Sequence, residues 1–415
     1  MISVDEALQL VEKHARPLAP RRVALGDAAG LVLAEDVASD INSPPYDKAL
    51  MDGYAVLASD RESQRRVLEE VAAGDVPRLP VTPGCATRIM TGAPIPEGAD
   101  AVVPVEQTEM VGETTVRLLG AELQPGQNVM PLGTSLRAGE IVLRTGALLR
   151  PIEIAILAEI GHGMVSVQPR PRIAVLSTGN ELVHIGERPS AGQIRNSNGP
   201  MLVAAAARAE AIGFELPIAR DDRDNLRALV EEGLTADVLL LSGGVSAGKF
   251  DLVPDVLAER GVEQVFHKVA LRPGKPLWFG VKKSADRRVL VFGLPGNPVS
   301  GFVCFELFVR PAIAALSGRG FVSTNSVSAR LAHTYSHKGG RAACLPARIT
   351  WGPGTPFRSA DSSAPVGDGR MPSVEILPWH GSADMATLAQ ADGLVRLPVE
   401  PLSLAAGSAL EVLLV

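Results

Sequence analysis

Between Arg172 and Leu316 short apolar runs alternate with stretches of helical period, and that alternation leaves few folds open. Residues 173–176 read as a buried strand ending in Ser177-Thr178-Gly179-Asn180-Glu181. A helix over about 199–211, a strand reaching Ile218 and Ala219, and a helix over 225–234 follow. The apolar run 238–241 then enters Ser242-Gly243-Gly244-Val245-Ser246-Ala247-Gly248 before a helix over 252–257. Further strands are expected at 265–269, 277–281 and 289–292, and Pro295-Gly296-Asn297-Pro298 opens a long apolar helix to Leu316. Strands that alternate with helices form a doubly wound α/β sheet, whose ligands sit at the carboxyl ends of the strands. Glu181, Asp221, Asp222, Asp251 and Pro295 all fall at such ends.

A strand, a glycine loop and a helix in that order suit anions, because glycine lets a ligand approach the backbone N–H groups and the helix start adds a partial positive charge. The loop after Leu241 is neither a P-loop nor Gly-x-Gly-x-x-Gly. Asp251 beside it either caps the helix or holds a metal ion.

The flanking regions read differently. Ser3-Val4-Asp5-Glu6 is a capping box opening a helix of about three turns, which Pro17 ends. The chain then turns to short strands, and Ser43-Pro44-Pro45 is a stiff connector to Met51-Asp52-Gly53-Tyr54-Ala55-Val56. Asp52 is either a turn residue or part of a site, and Thr91 in Met90-Thr91-Gly92-Ala93-Pro94 either caps backbone or faces a ligand. Residues 60–140 are β-rich, and a helix with Pro151 in its first turn is expected to pack with the first helix. After a linker at 318–328, the remainder has the short strands of a small all-β, barrel-like domain. The division expected is 1–45 with 140–170, then 46–139, 171–320 and 321–415. His333 and His337 lie four apart in a strand or loop rather than on a helix, and no metal site is expected of them.

Composition narrows the partners. A formal charge of −6 argues against nonspecific nucleic-acid binding, while leaving room for a local basic patch that takes an anionic small molecule. The longest apolar candidate, 201–214, is broken by Arg208 and Glu210, so no membrane span is expected. The N-terminus lacks a signal peptide's pattern, and Cys85, Cys304 and Cys344 make no disulfide framework, which suits the cytoplasm.

The segment from His267 to Pro276 carries Lys268, Arg272 and Lys275 with no acid between them. It is either a solvated basic loop or, stiffened by Pro273, Gly274 and Pro276, a site for phosphate or oxyanion recognition. Asp52, Glu181, Asp221, Asp222 and Asp251 are acids that would hold Mg²⁺ against such a phosphate.

Met-Asp-Gly-Tyr-Ala-Val (51–56), Met-Thr-Gly-Ala-Pro (90–94), Ser-Thr-Gly-Asn-Glu-Leu (177–182), Ser-Gly-Gly-Val-Ser (242–246), Pro-Gly-Lys-Pro (273–276) and Gly-Leu-Pro-Gly-Asn-Pro-Val-Ser (293–300) together resemble the molybdopterin molybdenumtransferases, a family that includes the C-terminal domain of gephyrin. The resemblance covers nearly the whole chain. It implies an elongated homodimer of four-domain subunits, with a cleft between the doubly wound domain of one subunit and the N-terminal region of the other. It implies a reaction in which molybdate enters adenylylated molybdopterin and AMP leaves with Mg²⁺ present. It names as partners a molybdopterin adenylyltransferase and recipient molybdoenzymes.

Carried over by motif, Asp52, Glu181, Asp251, Lys268 and Lys275 are the implied catalytic residues. Thr91, Ser242, Gly243, Gly244, Ser246, Arg272, Pro295, Gly296, Asn297 and Pro298 would bind substrate, and Glu181, Asp222 and Asp251 the metal. The sequence departs from the family at Ser135, where a functional aspartate is usual, at Arg272 for lysine, at Asn180 for aspartate, and at Lys48-Ala49-Leu50. Ser135 favours an alternative, a molybdopterin-binding or scaffold protein of the same fold that inserts no metal. A general nucleotide-binding protein is the third reading.

Overall fold

The computed structural model describes residues 1–120, 122–244, 252–284, 287–321, 326–352 and 371–415. The chain divides into two units, Met1–Arg21 with Val167–Val415, and Arg22–Ser166.

The first unit is built on a sheet. Its strands are β1 (Arg172–Ser177), β2 (Ile212–Glu215), β3 (Val238–Ser242), β4 (Val262–His267), β5 (Trp278–Lys283) and β6 (Arg288–Leu294), in spatial order β2-β1-β3-β6-β5-β4. The first four in that order run parallel, and β5 is antiparallel to both its neighbours. Successive side chains in a strand point to opposite faces, so a strand buried on both faces must be apolar throughout. Ile173, Val175, Leu240 and Phe292 accordingly lie on one face with α1 (Val4–His14), α2 (Asn198–Arg208) and α5 (Pro298–Leu316). Ala174, Leu176, Leu239 and Leu241 lie on the other with α3 (Arg223–Gly233) and α4 (Val253–Glu259).

Two expectations are corrected here. The Ser3 hydroxyl caps α1 by accepting the Glu6 N–H at 3.0 Å, but the helix buries Val4, Ala7 and Val11 in this α/β core. Its single apolar face is therefore taken by the sheet and α5 of its own unit. Second, α5 outruns the apolar stretch 201–214: its 19 residues are long and apolar enough to cross a bilayer, yet 83% of its most apolar window is buried inside the unit. It is a core helix. A π turn at Phe305–Val309 interrupts it and holds Glu306, fully buried, between Arg208 at 2.5 Å and Arg310 at 2.9 Å. A carboxylate out of water needs such pairing, since an isolated buried charge is strongly unfavourable.

The same unit ends in a closed barrel of β7 (Ser326–Leu331), β8 (Ala342–Thr350), β9 (Ser373–Ile376), β10 (Gly393–Leu397) and β11 (Ala409–Leu414), ordered β8-β9-β7-β11-β10 and back to β8. Closure leaves no free edges among these five strands. β7 begins inside the stretch expected as a linker. A two-residue strand, Leu271–Arg272, leaves the α/β part and pairs with β8 at Ala342 and Ala343.

In the second unit Gly53–Val56 lies one strand in from the edge of a six-stranded sheet, between Cys85–Ile89 and Ala101–Pro104. Tyr54, Val56, Ala86 and Val103 form its core. Gly53 has a packing reason to be glycine, because a Cβ there would overlap the Val103 carbonyl oxygen. Gly53→Ala is therefore expected to lower stability by at least about 2 kcal/mol in urea unfolding, the scale of overpacking in a close-packed interior. Gly26→Ala, with nothing within 4 Å of the added carbon, should change stability by less than about 0.5 kcal/mol.

Candidate functional site

Strand register sets the site. β1 and β3 run level, Ser177 beside Ser242, and β3 and β6 likewise, Ser242 beside Leu294. Three loops therefore leave the carboxyl edge of the sheet at the same height and surround a cavity of about 690 Å³. Glu181, Ser242, Gly243, Gly244, Pro295, Gly296, Asn297 and Pro298, all expected from sequence, line it.

Glycine is what lets these loops meet. Gly243 has φ +91° and Gly244 φ +63°, and a Cβ on Gly243 would stand 2.8 Å from the Thr178 carbonyl oxygen. A Cβ on Gly296 would come within 3.6 Å of the Gly243 Cα. At Gly179, φ +142°, an added carbon would collide with the Glu181 carboxylate, so the glycine cradles that acid at the cavity wall. The Gly243 N–H itself is bonded to the Leu294 carbonyl at 3.2 Å, so this amide ties the loops together.

Asn198, at the start of α2, joins two of the loops. Its Nδ2 donates to Ser242 Oγ at 2.8 Å and to the Gly296 carbonyl at 2.7 Å. Its Oδ1 is buried with no hydrogen-bond partner among the described residues, as is Thr178 Oγ1, and both residues line the cavity. Unpaired buried polar atoms are uncommon and call for a ligand or water. The sequence pattern starts this helix at about residue 199 and does not single out Asn198. The available signal was the cluster Asn196-Ser197-Asn198 just before a helix, residues whose side chains bond locally to backbone and loops. Asn297 donates to Ser382 Oγ at 2.7 Å, and Ala383 and Met385 complete the wall. Nothing near residue 297 in sequence announces a contact 85 residues away.

Other expected residues lie apart from this wall. Asp222 caps α3, its Oδ2 accepting the Asn225 N–H at 2.8 Å. Asn180 Oδ1 accepts the Asp221 N–H at 3.1 Å. Lys268 and Lys275 sit at the two ends of the β4–β5 connection, where the Lys275 carbonyl accepts the Val269 N–H and the Lys268 N–H reaches the Leu277 carbonyl. Lys268 has φ +74°, a conformation that bulky residues adopt only where their surroundings enforce it. Among the described residues neither lysine has an ion-pair partner. Arg272 lies in the strand beside β8. Ser246 and Asp251 fall outside the described residues.

In the second unit the pairing of Gly53 with Ile89 brings two expected residues together. Asp52 Oδ1 accepts both the Thr91 N–H and the Thr91 hydroxyl, each at 2.7 Å. These bonds, the hydroxyl first, hold the Asp52 carboxyl below the usual range. Ser135 is exposed in a turn, its N–H bonded to the Ser43 carbonyl at 2.8 Å. Asp47 accepts the Leu132 N–H at 2.7 Å in the same turn.

Comparison with known proteins places these features. Residues 2–161 match the MoeA N-terminal region (domain I and II), and residues 174–315 match a probable molybdopterin binding domain. A molybdopterin molybdenumtransferase 2 of Mycobacterium tuberculosis is 35% identical over 99% of both chains. A molybdopterin molybdenumtransferase of Bacillus subtilis is 38% identical over 75% of this chain and 74% of its own. The crystal structure of a molybdopterin biosynthesis MoeA protein from Pyrococcus horikoshii, 32% identical, superposes with a TM-score of 0.79 over 100% of this chain and 99% of its own.

Thr91→Val keeps the backbone N–H bond to Asp52 and deletes the hydroxyl bond. The Asp52 pKa, followed by carboxyl-carbon NMR, is expected to rise toward the ordinary aspartate value. The depressed pKa stabilises the fold above the unfolded value and is lost as pH falls through the folded one, so the variant should lose less stability on acidification. An unmoved Asp52 titration would show that the hydroxyl contributes nothing.

Proposed function

The chain belongs to the family of molybdopterin molybdenumtransferases, transferases of molybdenum cofactor biosynthesis, and from that membership we propose that it inserts molybdate into adenylylated molybdopterin with release of AMP. One observation carries the reading: three loops at the carboxyl edge enclose a cavity of about 690 Å³, walled by glycines and by Glu181, with buried polar atoms left for a ligand. That volume suits a ligand of nucleotide size.

The residues divide the work by chemistry. Asn198 Oδ1 accepts a hydrogen bond from the ligand, and Thr178 Oγ1 donates or accepts one. Pro295, Pro298, Leu182 and Met385 give the organic part an apolar wall. Lys268 and Lys275, stiffly placed, receive the oxyanions, each such charged hydrogen bond being worth about 1.5–3 kcal/mol.

Magnesium belongs to the same reading. Among the described residues no three acids, histidines or cysteines gather into a site of their own. The fit is instead to a cation held by one or two carboxylates plus substrate phosphates, for which the Glu181 carboxylate, cradled on Gly179, is placed at the cavity wall. Asp222 has one oxygen committed to its helix cap and one left over. When bound there, Mg²⁺ neutralises phosphate charge and eases departure of AMP. A homodimer, a molybdopterin adenylyltransferase upstream, recipient molybdoenzymes and a cytoplasmic setting complete the proposal; the three free cysteines support the last.

Glu181→Ala is expected to lower Mg²⁺-dependent AMP release by about two orders of magnitude, the cost of losing one preorganised charge-stabilising group. Its unfolding midpoint should stay unchanged because Glu181 is exposed. Release at the parental rate would remove Glu181 from the reaction. Should the parent release no AMP and fail to rescue a host lacking the insertion enzyme, the binding or scaffold reading replaces this one.

Ser135 brings a hydroxyl where a carboxylate is usual, and a neutral oxygen is a weak Mg²⁺ ligand beside phosphate. Ser135→Asp is expected to lower the Mg²⁺ concentration for half-maximal AMP release by about tenfold, the lower end for changes in a metal site's surroundings. Identical titrations for parent and variant would show that another acid, such as Asp47, which accepts the Leu132 N–H of the same turn, serves instead.

A further inference from the structure

The amino ends of the same strands border a second cavity, of about 630 Å³. β1 starts there at Arg172, β6 starts at Arg288, and β5 ends at Lys283. Arg16 and Arg21 come from the segment after α1, and Arg170 from the approach to β1. Among the described residues lining it, seven carry a fixed positive charge and only Asp237 a negative one. The whole chain is formally −6, so this gathering runs against its average.

Internal partners account for only part of that charge. Asp237 Oδ2 accepts the Arg172 backbone N–H at 2.8 Å, and its other oxygen lies 3.7 Å from Arg287. Arg288 donates to the His14 carbonyl at 3.1 Å, the Arg172 guanidinium lies 5.4 Å from the Phe214 ring centre, and Lys283 pairs with Glu263. Arg16, Arg21 and Arg170 are exposed and, among the described residues, form no ion pair. His14 registers the local field: burial first, then Arg288, Lys283 and Lys13, pull its pKa below the ordinary value. Like charges held around one cavity repel, and an anion relieves that repulsion.

We propose that this cavity binds a phosphate-bearing small molecule, with phosphates on Arg16, Arg21 and Arg170 and an organic body against Leu18, Leu290 and Leu316. Guanidinium forks match phosphate oxygens two at a time, and the cavity's size is that of a small-ligand site. It lies at the sheet edge opposite the substrate cavity, and neither cavity shares a lining residue with the other.

The test is calorimetric titration of the intact protein, in low salt without magnesium, with inorganic pyrophosphate and separately with ATP. Arg16→Glu/Arg170→Glu is expected to weaken both ligands at least tenfold, with a shallower salt dependence than the parent. Asn198→Ala, in the substrate cavity, should keep the parental affinity for pyrophosphate. Pyrophosphate affinity within twofold of the parent in the double variant, or its loss in Asn198→Ala instead, overturns the proposal. So does sulfate binding as tightly as pyrophosphate, which means an adventitious ion only. If the double charge reversal does not fold, as judged by thermal unfolding, Arg16→Ala and Arg170→Ala are each expected to weaken pyrophosphate about threefold, and unchanged affinity in both overturns it equally.

Discussion

Close approach of backbone at Gly243, Gly296 and Thr178 is the constraint on which the rest of the α/β unit depends. A Cβ at Gly243 would press on the Thr178 carbonyl, and one at Gly296 would touch Gly243. The loops after β3 and β6 meet here, and Asn198 bonds to both, at Ser242 and at Gly296. The level ends of the strands come from parallel register, which in turn comes from apolar runs buried on both faces. Core packing and cavity geometry are therefore one problem: a slip in register that misfits the close-packed side chains also breaks the ring of loops.

Polarity across the sheet is set by side chains. A sheet has only a small dipole of its own, so its backbone contributes little to a difference between its edges. At the carboxyl edge one acid, Glu181, sits among glycine and proline. At the amino edge arginines from three chain segments converge with a single aspartate. Charged residues tolerated at strand ends, where water is near, thus give two ends of one sheet different chemical preferences. This distribution lies within a chain whose net charge alone suggests neither.

What was legible in sequence was what local pattern determines. The doubly wound core was readable because strands such as 173–176 and 238–241 are unbroken apolar runs between glycine loops. The antiparallel turn of β5 was not, since a buried strand carries the same composition in either direction. The π turn at Phe305–Val309 was hidden too: Glu306 interrupts an apolar run and looks exposed until Arg208 and Arg310 are brought to it. Most of the cavity wall was named in advance because glycine and proline mark it. Asn198 and Ser382 were missed, since their roles depend on partners 44 to 98 residues away. Asp52 and Thr91 were each singled out, but their bond across 39 residues needed the register of Gly53 with Ile89.

The short strand Leu271–Arg272 ties two architectures together. It sits between Lys268 and Lys275 in the chain, yet its hydrogen-bonding partner is β8 of the barrel. The segment bearing these lysines is thus clamped at its ends by the α/β sheet and at its middle by the barrel. A loop held at three points has little freedom to drift, so it keeps its cations in place without needing salt bridges to do so. The barrel thereby acts as a splint: shearing it away would leave both lysines in the chain but return to them the rotational freedom that binding an anion must remove.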